Sequence, residues 1–247
     1  MARIAYHDHE AAAFEATRHL SEHGLAAWRE AVTRNLDPRP GTRLLDLGAG
    51  TGRWARAFTD WYDDIDVIAV EPAEAMRARC RHPKVVAGDA AGIPLADRSV
   101  DAAWLSTVIH HLPDLTAAAR ELRRVLRPGG PVLIRSAFAG RHDAITLFRY
   151  FPEAIRVLDT YPSVHDVEAA FAAAGFTTVS LEQVPQVTAP SLREAAATLR
   201  REAHTPLQLI TDDEYAAGLA RLHRAAATGT GTGTGPVIDA LDLLVLR

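Results

Sequence analysis

A glycine-rich turn follows the first predicted strand and is the segment best suited to bind a ligand. It reads Asp46-Leu47-Gly48-Ala49-Gly50-Thr51-Gly52. Glycines let a backbone turn sharply and approach a ligand closely. A dinucleotide-binding turn requires a small residue at the position of Arg53, and Asp46 would place a negative charge beside a pyrophosphate. The turn therefore disfavours NAD and favours a ligand that carries positive charge.

Two adjacent histidines follow the fourth predicted strand and are candidates for moving a proton. The segment reads Ser106-Thr107-Val108-Ile109-His110-His111-Leu112-Pro113-Asp114. An imidazole titrates near ~6.5, so either histidine could accept a proton at neutral pH. The alternative is that these rings only pack against a ligand or hold the loop in place.

The histidines do not indicate a metal site. His7, His9, His110 and His111 have a spacing that matches no zinc pattern, and Cys80 is the one cysteine in the chain. We therefore predict that the protein binds no metal.

The elements that position these residues alternate between short apolar runs and helical patterns. Continuous apolar runs that alternate with helices are typical of βαβ units with a buried parallel sheet. Strands are predicted at 44–47, 67–70, 85–87, 100–105, 132–135, 176–184 and 241–246, and core helices at 53–59, 73–81, 115–126 and 164–174. The pattern predicts an α/β fold with a doubly wound, mainly parallel sheet.

Three parts of the chain are predicted from this pattern. Residues 1–40 are predicted as an N-terminal helical lid, with a helical region broken near Gly24, and residues 41–138 as the ligand-binding core. Residues 139–247 are predicted to complete the core sheet and to add further lid pieces.

The predicted lid pieces of the C-terminal part are two insertions, at about 139–162 and 187–236. The first is rich in aromatic residues: Phe148, Tyr150, Phe151 and Tyr161. The second ends in alternating Thr and Gly at 228–235, which neither follows a strand nor opens a helix. We predict that this run is a flexible connector.

Charge and hydropathy exclude several kinds of partner. The formal net charge is −4 and the pI is near 6.3, whereas proteins that bind duplex nucleic acid are usually basic. No apolar stretch approaches the ~18 residues needed to span a bilayer, and the N-terminus has no signal-peptide core. We predict a cytoplasmic protein without nucleic-acid or membrane partners.

The order of the motifs resembles that of class I S-adenosylmethionine (SAM)-dependent methyltransferases, of the small-molecule, methyltransferase-domain-11-like type. Residues 44–52 resemble the first motif of the family, while residues 101–114 and Leu126-Arg127-Pro128-Gly129-Gly130 resemble its fourth and fifth. The resemblance implies a Rossmann-like, seven-stranded sheet whose last strand is antiparallel. It also implies SAM as cofactor, bound across the carboxyl ends of strands one and four. The sulfonium and ammonium of SAM suit the negative charge of Asp46.

The resemblance further implies roles for individual residues. Glu71 would accept hydrogen bonds from the ribose hydroxyls, and Asp89 would receive the adenine amino group. Arg18 would pair with the SAM carboxylate. His111 would be the catalytic base, because relatives carry a histidine just before a hydrophobe-Pro-Asp sequence, and His110 is the second candidate. The complete predicted cofactor-binding set is Asp46, Gly48, Ala49, Gly50, Gly52, Glu71, Pro72, Met76, Asp89, Ala90, Ser106 and Arg18.

Several of these side chains have a structural alternative. Asp46 could cap the amides of the turn, Glu71 could be a solvated strand end, and Asp89 could form an Asx-turn. Met76 could be a core residue, and Arg18 could lie on a helix surface.

These features predict an enzyme that methylates a small-molecule acceptor, on oxygen or nitrogen rather than carbon, in specialised metabolism. The aromatic insertion suits an apolar pocket that closes over the acceptor. Two alternatives remain. A protein or RNA methyltransferase would show an open groove with a basic rim, and a SAM-binding scaffold would regulate a partner without turnover.

Overall fold

The computed structural model describes residues 22–228 and 235–247, which form one seven-stranded sheet with helices on both faces. The strand order is β3-β2-β1-β4-β5-β7-β6. The strands are β1 Arg43–Leu47, β2 Asp66–Glu71, β3 Val85–Ala87, β4 Ala102–Ser106, β5 Val132–Ser136, β6 Thr178–Ala189 and β7 Val237–Leu246. β1 to β5 pair in parallel, and β7 runs antiparallel to both β5 and β6. The predicted doubly wound, mainly parallel sheet is confirmed.

The helices fall into two groups, those that cover the sheet and those that lie beyond its carboxyl edge. The first group is α1 Glu22–Leu36, α2 Arg53–Trp61, α3 Glu74–Arg79, α4 Leu115–Val125 and α7 Val164–Ala172. The second group is α5 Thr146–Tyr150, α6 Ile155–Leu158, α8 Leu192–Thr198, α9 Thr205–Gln208 and α10 Asp212–Thr228. Three short 3₁₀ segments lie at Ile109–His111, Pro152–Ala154 and Arg201–Ala203.

The strands β1, β2, β4 and β5 send alternate side chains to opposite faces, and both faces are buried. Leu45 and Ala103 belong to one apolar cluster, while their neighbours Leu44 and Trp104 belong to the other. This is the period-two alternation of a strand, applied to a sheet that is covered on both sides. It explains why the strands are continuously apolar.

The order in which the strands are added to the sheet reverses between β1 and β4. β2 and β3 follow on one side of β1, and β4 and β5 follow on the other. Open α/β sheets bind ligands in the crevice at this point, beside the carboxyl ends of the strands. The glycine turn after β1 and the histidine segment after β4 therefore lie at the same edge.

The predicted helix break near Gly24 is wrong, since α1 continues through this residue. Glycine inside a helix costs about 1 kcal/mol relative to alanine. Trp28, Ala31 and Val32 are at most 1% exposed and anchor α1 in the core. The burial of this face outweighs the local preference. Of the predicted lid at 1–40, α1 is thus part of the core, and residues 1–21 lie outside the described residues.

The second insertion also differs from its predicted bounds. β6 continues to Ala189 instead of ending at 184, so the connection to β7 begins after Ala189 and not at 187. The strand extends because β7 starts at Val237 and offers a partner along its whole length. The insertion contains three helices, α8 to α10. Residues 229–234 of the Thr-Gly run lie outside the described residues.

Across 22–228 and 235–247, no helix has both the length and the apolar character that crossing a membrane requires.

Gly218 allows the longest insertion helix, α10, to pack against the first insertion. A Cβ on Gly218 would overlap the ring of Phe151, which is fully buried. We expect Gly218→Ala to lower the free energy of unfolding by about 1–2 kcal/mol, because overpacking outweighs the gain of about 1 kcal/mol in helix propensity. Urea unfolding measures this.

Ala217→Gly is the matched control for helix propensity. Ala217 is exposed on the same helix, so this variant should lose about 1 kcal/mol through propensity alone. A stabilised Gly218→Ala variant would contradict the close approach of α10 to Phe151.

Candidate active site

One cavity of about 320 Å³ opens at the carboxyl ends of β1, β4 and β5. Its wall includes Gly48, Ala49 and Gly50 of the glycine turn and Ser106, Thr107 and His110 after β4. The rest of the wall is mostly apolar and comes from β6, β7 and the two insertions. The predicted aromatic residues Phe148, Tyr150, Phe151 and Tyr161 all belong to it.

The glycine turn exposes its backbone to this cavity. Gly50 has φ +57°, a conformation that side chains disfavour, and no heavy atom lies within 4 Å of the position where its Cβ would be. Gly48 has φ +72°, and its own Cβ position is filled by the side chain of Val108. The turn thus packs tightly against the histidine segment at Gly48 and leaves open space at Gly50.

Glu71 ends β2 and holds the turn in place. Its Oε2 accepts a hydrogen bond from the Gly50 amide at 2.8 Å, and its Oε1 accepts one from the Ala73 amide at 2.8 Å. The side chain is 7% exposed, and burial raises the pKa of its carboxyl while these two hydrogen bonds lower it. The alternative of a solvated strand end is therefore wrong.

Asp46 lies beneath the turn and not in the cavity wall. Its Oδ2 accepts a hydrogen bond at 3.0 Å from the amide of Ala55, in the first turn of α2, and the residue is 1% exposed. Burial raises the pKa of this carboxyl to about 7, the hydrogen bond opposes the rise, and the nearby charge of Glu71 adds to it. The observed contact of Asp46 is a cap on the first turn of α2, and its role in cofactor binding stays a prediction.

Four other predicted cofactor residues follow β2 or β3 in the chain. Asp89 is exposed, and its Oδ1 accepts from the Ala91 amide at 2.8 Å, which is the Asx-turn alternative. Met76 is 3% exposed, as expected of a core residue, and Ala90 is 7% exposed. Pro72 is exposed, and its carbonyl accepts from Arg77 at 2.6 Å.

Two further predicted residues complete this comparison. Gly52 is the N-cap residue of α2, buried behind the turn. Arg18 lies outside the described residues.

The histidine segment contributes His110, not His111, to the cavity wall. The ring of His110 stacks on Tyr161 with centroids 4.1 Å apart and planes 2° apart. The ring of His111 contacts the ring of His110, with centroids 4.0 Å apart. The motif places His111 first as the catalytic base, whereas the position in the cavity wall favours His110.

Thr107 shapes the path from β4 to His110. Its φ is +55°, which is unusual for a β-branched residue and is typical of strained functional sites. Its amide donates to the Arg135 carbonyl at 2.7 Å, and its Oγ1 donates to the Ser106 carbonyl at 2.7 Å. These contacts hold the strained turn directly after Ser106.

A buried polar cluster around Arg135 was missed in the sequence. The guanidinium donates to Ser106 Oγ at 3.1 Å and to Gln186 Oε1 at 2.8 Å. The same Gln186 oxygen accepts from Trp28 Nε1 at 2.9 Å, and the guanidinium carbon lies 4.9 Å from the Trp28 ring centroid and 5.3 Å from that of Trp54. Aromatic faces stabilise a desolvated cation.

The only signal for this cluster was a charged residue at the end of the apolar run 132–135. Gln186 had no local signal at all, because it reaches Arg135 only through the pairing of β6, β7 and β5. The cavity wall therefore carries a positive charge at Arg135, and it also includes the carboxylate of Asp239 near the start of β7.

No group of three potential metal ligands occurs among residues 22–228 and 235–247.

We expect Asp46→Asn to change how stability depends on pH. The pKa of Asp46 rises from 3.8 to about 7 on folding, so the folded protein binds this proton more tightly than the unfolded chain. Its stabilisation is complete below about pH 4 and is lost as the pH rises to about 7. Asparagine does not titrate. As the pH rises across this interval, the free energy of unfolding should therefore fall less in the variant than in the wild type. Urea unfolding of the ligand-free protein at several pH values measures it, and parallel curves would contradict the assignment.

Comparison with known families is consistent with this geometry. A family model described as "Methyltransferase domain" matches residues 45–134, which contain the glycine turn, Glu71, Asp89 and the histidine segment. The match ends within β5, before the insertion that lines the apolar part of the cavity.

Two curated relatives match between 43% and 62% of the chain. A demethylmenaquinone methyltransferase of Beutenbergia cavernae is 39% identical over 111 residues, covering 43% of this chain and 45% of that protein. A malonyl-[acyl-carrier protein] O-methyltransferase of Methylococcus capsulatus is 35% identical over 165 residues, covering 62% of this chain and 58% of that protein. The matches thus span about half the length of these relatives.

Solved structures share the fold over nearly the whole chain. A putative methyltransferase from an antibiotic biosynthesis pathway of Anabaena variabilis has a TM-score of 0.71 at 21% identity, covering 92% of this chain and 100% of that one. Phosphoethanolamine N-methyltransferase 2 of Haemonchus contortus, solved with phosphomonomethylethanolamine and S-adenosylhomocysteine, has a TM-score of 0.61 at 18% identity, covering 98% of this chain and 57% of that one. Residues 45–134 therefore match a methyltransferase domain, and the chain shares the fold of these methyltransferase structures, as its motifs predicted.

Proposed function

We propose that this protein transfers the methyl group of SAM to a hydroxyl oxygen of a small, mainly apolar acceptor. One observation carries the proposal. A single cavity has the glycine turn, His110 and the apolar insertions in its wall. A cofactor at the turn and an acceptor in the apolar part would therefore share one cavity.

The residues at the sheet edge fit SAM. The open side of Gly50 leaves room for a ligand against the backbone, and Glu71 and Asp89 continue the site along β2 and β3. Glu71 would hold the ribose hydroxyls and Asp89 the adenine amino group, while Arg135 adds positive charge for the carboxylate. SAM supplies an activated methyl group on a positively charged sulfur.

The protein's own contribution is alignment, exclusion of water and removal of one proton. A hydroxyl is a weak nucleophile, so a base assists its reaction. The imidazole of His110 would accept the hydroxyl proton as the oxygen gains the methyl group. The stack of His110 on Tyr161 and its tilted contact with His111 hold its ring at the cavity wall.

The character of the cavity favours a small molecule over a macromolecule. Its volume of about 320 Å³ falls at the lower end of the range for small-molecule pockets. The wall from the insertions is aromatic and aliphatic, whereas an RNA or protein substrate would suit an open groove with a basic rim. The relatives are named for demethylmenaquinone and for a malonyl group on an acyl-carrier protein, which supports an acceptor group small enough to enter a cavity. A role in specialised metabolism is supported by the sequence resemblance.

We expect Gly50→Ala to weaken SAM binding by about tenfold or more, because the added methyl group occupies the open side of the turn. Calorimetry with SAM and S-adenosylhomocysteine measures the affinity. Gly175→Ala is the matched control, since Gly175 also has a positive φ, of +84°, and no heavy atom within 4 Å of an added Cβ. Both variants should lose about 1–2 kcal/mol of stability through the left-handed conformation. Unchanged SAM affinity in Gly50→Ala would argue against cofactor binding at this turn.

We expect His110→Ala to lower turnover by roughly 10²–10⁴ and to leave SAM affinity nearly unchanged, because a general base acts only on the chemical step. His111→Ala should lose less, since His111 lies outside the cavity wall, and the exposed His165 provides a control in His165→Ala. Release of S-adenosylhomocysteine is measured with a panel of phenols and alcohols. Full turnover in His110→Ala would assign catalysis to alignment alone, and failure of every acceptor with the wild type would favour a non-catalytic scaffold.

A further inference from the structure

Asp239 lies on the face of β7 that points into the cavity. Val237, Asp239 and Leu241 all belong to the cavity wall, whereas Ile238, which is 56% exposed, and Ala240 do not. Because alternate side chains of a strand point to opposite faces, this spacing of two residues directs the Asp239 carboxylate inwards. The residue is partly exposed, so a molecule in the cavity can reach it.

Contacts on both sides fix this part of β7. Asp239 pairs with Gln186 of β6, and the amide of Ala240 donates to the Ala144 carbonyl at 2.9 Å. The Oδ1 atom of Asp239 accepts from the amide of Thr146, the first residue of α5, at 2.7 Å. The carboxylate is therefore held in one place before any ligand binds.

The second oxygen of Asp239 has little to bind within the protein. Its Oδ2 lies 3.3 Å from the Thr188 hydroxyl, whose single proton also has the Val237 carbonyl within reach at 3.4 Å. No cationic group of residues 22–228 or 235–247 pairs with Asp239. Capping α5 requires one oxygen and no charge, and a partly buried charge without a partner costs free energy. The negative charge at this place therefore suits a cationic ligand.

Asp239 is separated from the positive charges of the cavity wall. Among the described residues that line the cavity it is the only acidic one, while Arg53 follows the glycine turn and Arg135 donates to Ser106. Arg135 pairs with Leu243 of β7, four residues beyond Asp239, which corresponds to about 13 Å along a strand. An acceptor that extends from the cofactor to Asp239 is therefore elongated.

We infer that Asp239 binds a protonated amine of the acceptor, at the end of the molecule opposite to the hydroxyl that is methylated. This inference rests on the proposed function and narrows its substrate class to elongated, mainly apolar amines that carry a hydroxyl. The ammonium donates to Oδ2, and the apolar wall covers the segment between the two polar ends. A neutral analogue is disfavoured because it leaves the carboxylate without a partner.

Pairs of probes that differ in charge and not in shape test the inference. 4-(ω-Aminoalkyl)phenols with two, three or four methylene groups are compared with the 4-alkylphenols in which a methyl group replaces the ammonium. Their affinities are measured by calorimetry at about pH 7.5, where the amines are protonated, with the protein saturated with S-adenosylhomocysteine. For the chain length that binds best, we expect the ratio of amine to alkyl affinity to fall about tenfold in Asp239→Asn, because one hydrogen bond to a charged group is lost.

Asp213→Asn is the matched control for the loss of charge. Asp213 is exposed on α10 and lies outside the cavity wall, so this variant should keep the wild-type ratio. In Asp239→Asn, the asparagine oxygen still accepts from the Thr146 amide. This variant should therefore retain the melting temperature of the wild type and its affinity for S-adenosylhomocysteine.

The inference is overturned if no amine of the series binds the wild type, if Asp239→Asn keeps the wild-type ratio, or if Asp213→Asn lowers it equally. Each of these results leaves the proposed function standing as long as SAM binds and some hydroxyl acceptor is methylated. Absence of SAM binding by the wild type would instead remove the proposed function itself.

Discussion

The hydrogen bond from the Gly50 amide to Glu71 is the interaction on which the arrangement of this site depends. It joins the turn after β1 to the end of β2, and the second Glu71 oxygen holds the chain as it leaves β2. A carboxylate that accepts backbone amides at both oxygens is a strong, charge-assisted brace. Without it, the left-handed backbone at Gly50 would have no fixed orientation towards the cavity.

Two buried ionisable residues lie near this hydrogen bond. One is an acid in the core, and the other is a base among polar and aromatic partners. Asp46 lies in the core below the turn, where burial raises the pKa of its carboxyl to about 7. Arg135 lies on the other side of β4, held by Ser106, by Gln186 and by the faces of Trp28 and Trp54. Burial of ionisable groups is costly unless contacts compensate, and such groups concentrate at functional sites. Their positions beneath and beside the turn are consistent with a site that orients a charged cofactor.

The apolar part of the cavity is formed by residues that follow the glycine turn and the histidine segment in the chain. It is built where α10 crosses the first insertion, and Gly218 lets the helix approach Phe151 without a side chain between them. Glycine lowers the helix propensity at this position, but it allows the two insertions to pack closely against each other. The glycine turn of the cavity therefore belongs to the matched domain, and the apolar wall belongs to the two insertions that follow it.

Local patterns alone determined the fold and the position of the cofactor turn. Parallel strands buried on both faces must be continuously apolar, and a turn at the strand-order switch needs glycine, so both features are visible in short windows of residues. Contacts between distant segments were decided only by the tertiary structure. Asp46 and Glu71 were recognised as acidic strand ends, but their burial follows from packing by α2 and by the turn itself. Gln186 joins Arg135 across paired strands, and His110 replaces His111 in the wall because the strained Thr107 and the stack on Tyr161 orient the segment. A motif specifies which residue types are present, whereas the direction of each side chain depends on partners that are far away in the chain.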